Sequence, residues 1–179
     1  MKGVDVMDLS TRNYINSLAE RVIKVYNIAI PITNIDDVVR SIGGTVEEKR
    51  YFDDLCDGTI IKEGKDSFRI AISPHQNEQR RAFTVAHELG HLFLHMGYRT
   101  NPDLWAEQDQ TIFRRFGYSG QEYQANEFAA ALLMPRDMYK RVLLDNAIDG
   151  HVDMSIVAKH FNVSQAAAVN RGKFLGYLA

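Results

Sequence analysis

Two histidines four residues apart with a glutamate between them, His87-Glu88-Leu89-Gly90-His91, are the residues of this chain best suited to chemistry. They lie in residues 77–95, NEQRRAFTVAHELGHLFLH, a stretch built mostly of helix-forming residues. On a helix, positions i and i+4 stand about 6 Å apart on one face, so both imidazoles can reach one metal ion. Glu88 is rotated off that pair by one residue and addresses a metal-bound water rather than the metal, which is the place of a general base. The competing reading is a surface helix with two solvated histidines. Against it, Phe83, Val85, Ala86, Leu89, Leu92, Phe93 and Leu94 make the segment apolar around much of its circumference, which predicts burial. Buried imidazoles need partners, and a zinc ion supplies one.

Zinc that does chemistry needs a third protein ligand and an open fourth position. His95 continues the four-residue series, but it lies about 12 Å along the axis from His87, too far for both to bind one ion. The longer pattern HExxHxxGxxH fails as well, since the chain has Leu94 and Gly97 where glycine and histidine are required. Residues 121–134, QEYQANEFAAALLM, read as a second helix on which Glu122 and Asn126 share a face, while Phe128, Leu132 and Met134 read as packing residues. Glu122 is the expected third ligand. Asn126, one turn on, is placed to hydrogen-bond a zinc histidine and fix its ring. Glu127 competes in sequence, but it is rotated off that face and reads more simply as a solvated charge.

RAFTVAHELGHLFLH followed by EYQANEFAAALLMP resembles the signature of the ImmA/IrrE family of zinc metallopeptidases, which pairs a HELGH helix with an ExxAN-x-FAA-x-LLMP helix. The resemblance is dense over residues 81–135 and looser toward both ends. It implies zinc on His87, His91 and Glu122, with Glu88 as catalytic base. It also implies a regulatory role, because members of the family typically stand beside helix-turn-helix repressors, often in phages and mobile elements. They act by cleaving the repressor or otherwise triggering its loss. The expected function is therefore a zinc-dependent endopeptidase whose substrate is a protein, a helix-turn-helix transcriptional repressor. The alternative is a zinc-containing binding module that sequesters a protein partner or contacts DNA through its C-terminal tail. Glu88 favours the peptidase: a structural zinc site is closed, usually by cysteines, and has no use for a carboxylate beside an open position.

Composition agrees without pointing to a function. With 179 residues, 45% hydrophobic and 25% charged, the chain is an ordinary globular protein able to bury one good core. A formal net charge of -2 gives no overall footprint for nucleic acid or a membrane surface. The single Cys56, in YFDDLCDG, cannot form an internal disulfide, which suits a reducing interior, and it reads as an inert thiol rather than one that blocks the zinc. The first residues lack a continuous apolar run, and no later stretch has the length of a membrane span, so a soluble cytoplasmic protein is expected.

The elements that must position the site read as α+β, in the layout of zincin peptidases. Residues 12–27 carry Ile15, Leu18, Ala19, Val22 and Tyr26 at helical spacing, and a short helix follows through Ile42, capped by Asn34 or Thr33 and stopped by Gly43-Gly44. Residues 45–51, 58–62 and 67–73 are strand-like, with Gly64 in a hairpin turn, and predict a small antiparallel sheet. In the third run Phe68, Ile70 and Ile72 alternate with Arg69, Ala71 and Ser73, as a half-buried strand should. Residues 67–73 are the candidate edge strand against which an extended substrate would lie, the alternative being a purely structural strand. Residues 96–120 hold the only tryptophan, Trp105, with Tyr98, Phe113, Phe116 and Tyr118, and read as a lid or as a packing helix over 103–116. A helix somewhere in this stretch is expected. Tyr98, Tyr118, His151 and Arg171 are unranked candidates for stabilising an oxyanion. His75, His95, His151 and His160 otherwise read as hydrogen-bonding residues near the site or at the surface.

Residues 1–150 are assigned to the peptidase domain and residues 151–179 to a helix-turn-helix-like tail packed on it. In the tail, Ala158, Asn162 at the turn, apolar Val157, Phe161 and Val163, and Ser164 as a cap resemble a helix-turn-helix. Lys159, Arg171 and Lys173 against Asp153 are a small excess of cations, and the second helix opens Gln165-Ala166-Ala167-Ala168, with few groups for phosphates or base edges. Nucleic acid is not an expected partner. The tail is expected to pack through Ala168, Val169 and Phe174, leaving Arg171 and Lys173 exposed.

Overall fold

The computed structural model describes residues 7–49, 58–108, 112–113 and 119–178. Helix α1 (Leu9–Val25) starts where the Asp8 carboxylate accepts the Thr11 amide, and buries Ile15, Leu18, Ala19 and Val22 at helical spacing. Helix α2 (Ile35–Ile42) is capped by Asn34 and ends at Gly43, whose φ of 113° lies in the left-handed region that a side chain resists. Strands β1 (Gly44–Glu48), β2 (Gly58–Lys62) and β3 (Phe68–Ile72) follow, then helix α3 (Glu78–Leu94), the short α4 (Pro102–Glu107), strand β4 (Ile112–Phe113) and helix α5 (Ser119–Leu133). Helices α6 (Arg136–Asp145), α7 (Met154–Phe161) and α8 (Gln165–Phe174) complete the order. The class is α+β.

The sheet is mixed rather than antiparallel, with strand order β1-β3-β2-β4. Strands β2 and β3 form the expected hairpin, closed by the Glu63 amide donating to the Ser67 carbonyl at 3.0 Å. Strand β1 takes the other edge of β3 and runs parallel to it, Val46 opposite Ile70. Periodicity gives no information on which neighbour a strand chooses, so this direction was not readable. The same pairing corrects the edge assignment, because β3 is an interior strand with neighbours on both sides. Its residues Phe68, Ile70, Ala71 and Ile72 are all fully buried, so both faces are covered and the alternation seen in sequence carried less than it suggested.

Helix α3 packs across β2 and β3 on one side and against α5 on the other, while α1 packs on α5. That sandwich buries Thr84 through Phe93 continuously, as the apolar circumference predicts. In the connection between α3 and α5, α4 is shorter than a helix over 103–116. It is held by Trp105, whose indole donates to the Lys65 carbonyl and whose ring meets Tyr98 edge-on. Cys56, Phe116 and Tyr118 lie outside the described residues.

The tail is two helices joined at Asn162, which is left-handed at φ 51°, with Ser164 accepting the Ala167 amide. Tyr139 of α6 donates to the Ala168 carbonyl at 2.5 Å and stacks with Phe161 and Tyr177. Two expectations for the tail are corrected. Phe174 is 48% exposed rather than a packing residue, and Arg171, expected at the surface, is 1% exposed. Position 171 falls on the face of α8 that meets α5 and α1, which only the docking of the tail could reveal. Among the described residues, no helix is long and apolar enough to cross a membrane.

Candidate metal centre

Helix α3 begins at Asn77, whose side chain accepts the Arg80 amide, and runs unbroken to the cap residue His95. Four residues before its end it carries Gly90, and that small residue determines how near α5 can come. A Cβ at position 90 would stand 2.9 Å from the Ala125 Cα and 3.0 Å from its carbonyl oxygen, closer than side chains tolerate. Gly90 and Ala125 therefore let the two backbones approach, and Glu122, one turn before Ala125, is carried onto the histidine face.

His87 Nε2 and His91 Nε2 lie 3.0 Å apart, and the Glu122 carboxylate oxygens lie 3.3 Å and 3.2 Å from them respectively. Tetrahedral ligands about 2.0–2.1 Å from a metal such as zinc stand roughly 3.3–3.4 Å from one another, so the two histidine–glutamate distances are close to those of such a site and the histidine–histidine distance is shorter. The two imidazoles are almost fully buried and Glu122 is half-buried, which leaves an approach from solvent on the glutamate side.

The outward nitrogens are also engaged. His87 Nδ1 meets Asn126 Oδ1 at 2.8 Å, the contact that the shared face of Glu122 and Asn126 predicts. An amide oxygen only accepts, so the proton of His87 sits on Nδ1 and Nε2 presents its lone pair toward His91 and Glu122. His91 Nδ1 lies 2.9 Å from His95 Nδ1, and His95 Nε2 lies 3.0 Å from Gln124 Oε1. By the same rule His95 donates to Gln124 from Nε2 and accepts from His91 at Nδ1. Burial holds His95 below the usual histidine range, in keeping with a neutral ring. Both ring nitrogens of His95 are thus engaged, one by His91 and one by Gln124. Gln124 was missed in the sequence, where its only signal was its place on the ligand helix.

Glu88 is buried, 1% exposed, and turned toward β2. A Cβ on residue 58 would meet Glu88 Oε1 at 3.0 Å, so Gly58 at the start of β2 makes room for this carboxylate. The glycine was read only as a strand end. Glu127, expected to be solvated, is 5% exposed and bonded to Arg171 at 2.9 Å and to Asn16 at 2.7 Å. Of the oxyanion candidates, Tyr98 is buried and donates to the Ile42 carbonyl, His151 is exposed beside Asp149, and Arg171 is bound to Glu127. His75 and His160 are exposed.

A peptidase family model described as the IrrE N-terminal-like domain matches residues 33–173. The chain belongs to this family. The IrrE N-terminal-like domain thus takes in both ligand helices and continues through α7 into α8, so the tail is part of what the family shares. Eleven solved chains are similar to this one. Among them, a Mycobacterium tuberculosis transcriptional regulator superposes with a TM-score of 0.56 at 16% identity, over 90% of this chain and 50% of that one. The likeness is one of fold, and this chain spans about half of that regulator's length. No curated protein matches the chain.

Proposed function

We propose that this member of the IrrE N-terminal-like family is a zinc-dependent endopeptidase acting on a protein substrate. The observation that carries the reading is the cluster of His87, His91 and Glu122, whose donor atoms all lie within 4.8 Å of one another beside the buried Glu88. His87, His91 and Glu122 would hold the zinc, which would supply a Lewis acid for a peptide carbonyl and for water. Glu88 accepts the proton of the attacking water and returns it to the departing amine. Asn126, and His95 with Gln124 behind it, keep both imidazoles turned toward the cation. The domain division follows the same reading: residues 1–150 carry the chemistry, and residues 151–179 form a helical tail held against them.

The substrate proposed is a helix-turn-helix transcriptional repressor in a regulatory setting. Family membership supports it, and the structural neighbour is itself described as a transcriptional regulator. DNA is not the proposed partner of the tail, because Arg171 is turned inward to Glu127 and so withdrawn from any phosphate contact. The protein, supplied with zinc, should cleave the repressor encoded beside its own gene at a defined bond, read by mass spectrometry. Glu88→Gln should keep its zinc and its melting temperature yet cleave at least 100-fold more slowly, within the roughly 10²–10⁴ range of a positioned acid–base group. Cleavage by that variant at the parent rate would remove Glu88 from the mechanism.

A further inference from the structure

A groove of about 840 Å³ runs between α3, α5 and the tail, a volume typical of clefts that enclose a ligand. At one point its lining includes Thr84, one turn before Glu88, and Asn126, the partner of His87. One wall carries Phe83, Tyr123 and Met134. The facing wall is a stripe of α8, in which Ala166, Asn170 and Phe174 recur every four residues and all point to solvent. Tyr123 and Phe174 are 50% and 48% exposed, two aromatic rings left open along one groove, which marks a binding surface rather than a packed core.

The charged residues of the lining are Arg12, Arg80, Glu127 and Arg171, and the last two neutralise each other. Arg12 supplies a cation at the rim. The Arg12 guanidinium lies 4.7 Å over the Phe174 ring, and its buried Nε has no hydrogen-bond partner among the described residues. An apolar wall with a cation stacked at its rim matches a polypeptide segment that carries large apolar side chains beside an acidic one.

We infer that this groove binds the substrate polypeptide on one side of the scissile bond, taking an apolar segment whose adjoining carboxylate meets Arg12. Only the position of the scissile bond rests on the peptidase reading. The tail then acts as the specificity wall of the site, which explains why α8 is anchored from below by Arg171 while its upper face stays open.

Two pools of fluorescent ten-residue peptides test this, alike in central Leu, Met and Phe positions but flanked by Asp and Glu in one pool and by Lys and Arg in the other. Binding is read by anisotropy on zinc-loaded Glu88→Gln protein, so that peptide is not consumed. The acidic pool should bind about fivefold more tightly or better, as expected for a partly desolvated ion pair. Arg12→Glu should reverse that order, and Ala166→Trp, at an exposed position that fills the groove, should weaken both pools more than tenfold with melting temperature and zinc content unchanged. Equal binding of the two pools to the parent overturns the inference, as does full affinity in Ala166→Trp or displacement of the acidic pool by duplex DNA. Peptides that bind in this pattern but are never cut by the wild-type protein count against the peptidase reading and leave the groove assigned. Cutting without any charge preference does the reverse.

Discussion

Glu122 and Glu127 are five residues apart on α5, and their neighbours assign them opposite work. Glu122 stands half-buried, 3.2–3.3 Å from two imidazole nitrogens, whereas Glu127 is closed in by Arg171 and Asn16. Glu122→Gln should therefore release zinc during dialysis against a mild chelator while the protein still melts as a folded unit. Asn126→Ala should keep the ligands but loosen the His87 ring, lowering zinc affinity by about 10–100-fold, the usual cost of losing such a partner. Glu127→Gln should retain zinc wherever the chain remains folded and lose stability instead. Metal analysis and thermal melts on the three variants separate these outcomes, and zinc loss confined to Glu127→Gln would show that the wrong face of α5 had been assigned.

At the scale of elements, the site depends on how closely α3 and α5 approach. Gly90 is a poor helix former, and replacing it with alanine should gain up to about 1 kcal/mol in helix propensity. The new methyl would stand 2.9 Å from the Ala125 backbone, however, and overpacking of that kind costs about 1–3 kcal/mol, so the contact outweighs the propensity. Gly90→Ala should be destabilised, and Gly90→Val more so. Because the displaced helix carries Glu122, zinc affinity measured by chelator competition should fall in the same order. A stabilised Gly90→Ala with unchanged zinc affinity would mean that the helices have slack at this crossing.

Across the whole molecule, the tail is tied to α5 and α1 by one buried polar network. Arg171 donates to Glu127, to Asn16 at 2.7 Å and to the Met134 carbonyl at 3.1 Å, joining α8 to α5 and α1. Burial pulls its guanidinium below its usual range, while Glu127 opposes that shift. Arg171→Met alone should cost about 3–5 kcal/mol in urea unfolding, because Glu127 is left buried without its partner, and adding Glu127→Gln should restore much of it. Lys173→Ala, at an exposed position, should change little.

Tyr139 gives the same junction a pH limit. Burial raises its hydroxyl to about 12 from an ordinary 10, so the neutral form belongs to the folded state. Its contribution is complete below pH 10 and is lost as pH rises toward 12. Tyr139→Phe should flatten that part of the alkaline stability curve, measured by urea unfolding between pH 9 and pH 12.

The sequence by itself determined the parts of this protein that a single helix encodes. The spacing of His87, Glu88 and His91, the pairing of Glu122 with Asn126, the caps at Asn34 and Ser164 and the stop at Gly43 all act within one or two turns, so their geometry follows from helical periodicity. Tertiary structure decided whatever depends on which surfaces meet. The parallel pairing of β1 with β3 and the interior place of β3 arise from a choice of neighbours that the pattern within a strand does not record. The inward turn of Glu127 depends on an arginine 44 positions away, and each residue alone reads as a surface charge. His95 and Gln124 are separated by 29 residues and meet only because Gly90 admits Ala125. Periodicity fixes which way a side chain points from its own axis, and only packing determines what is waiting there.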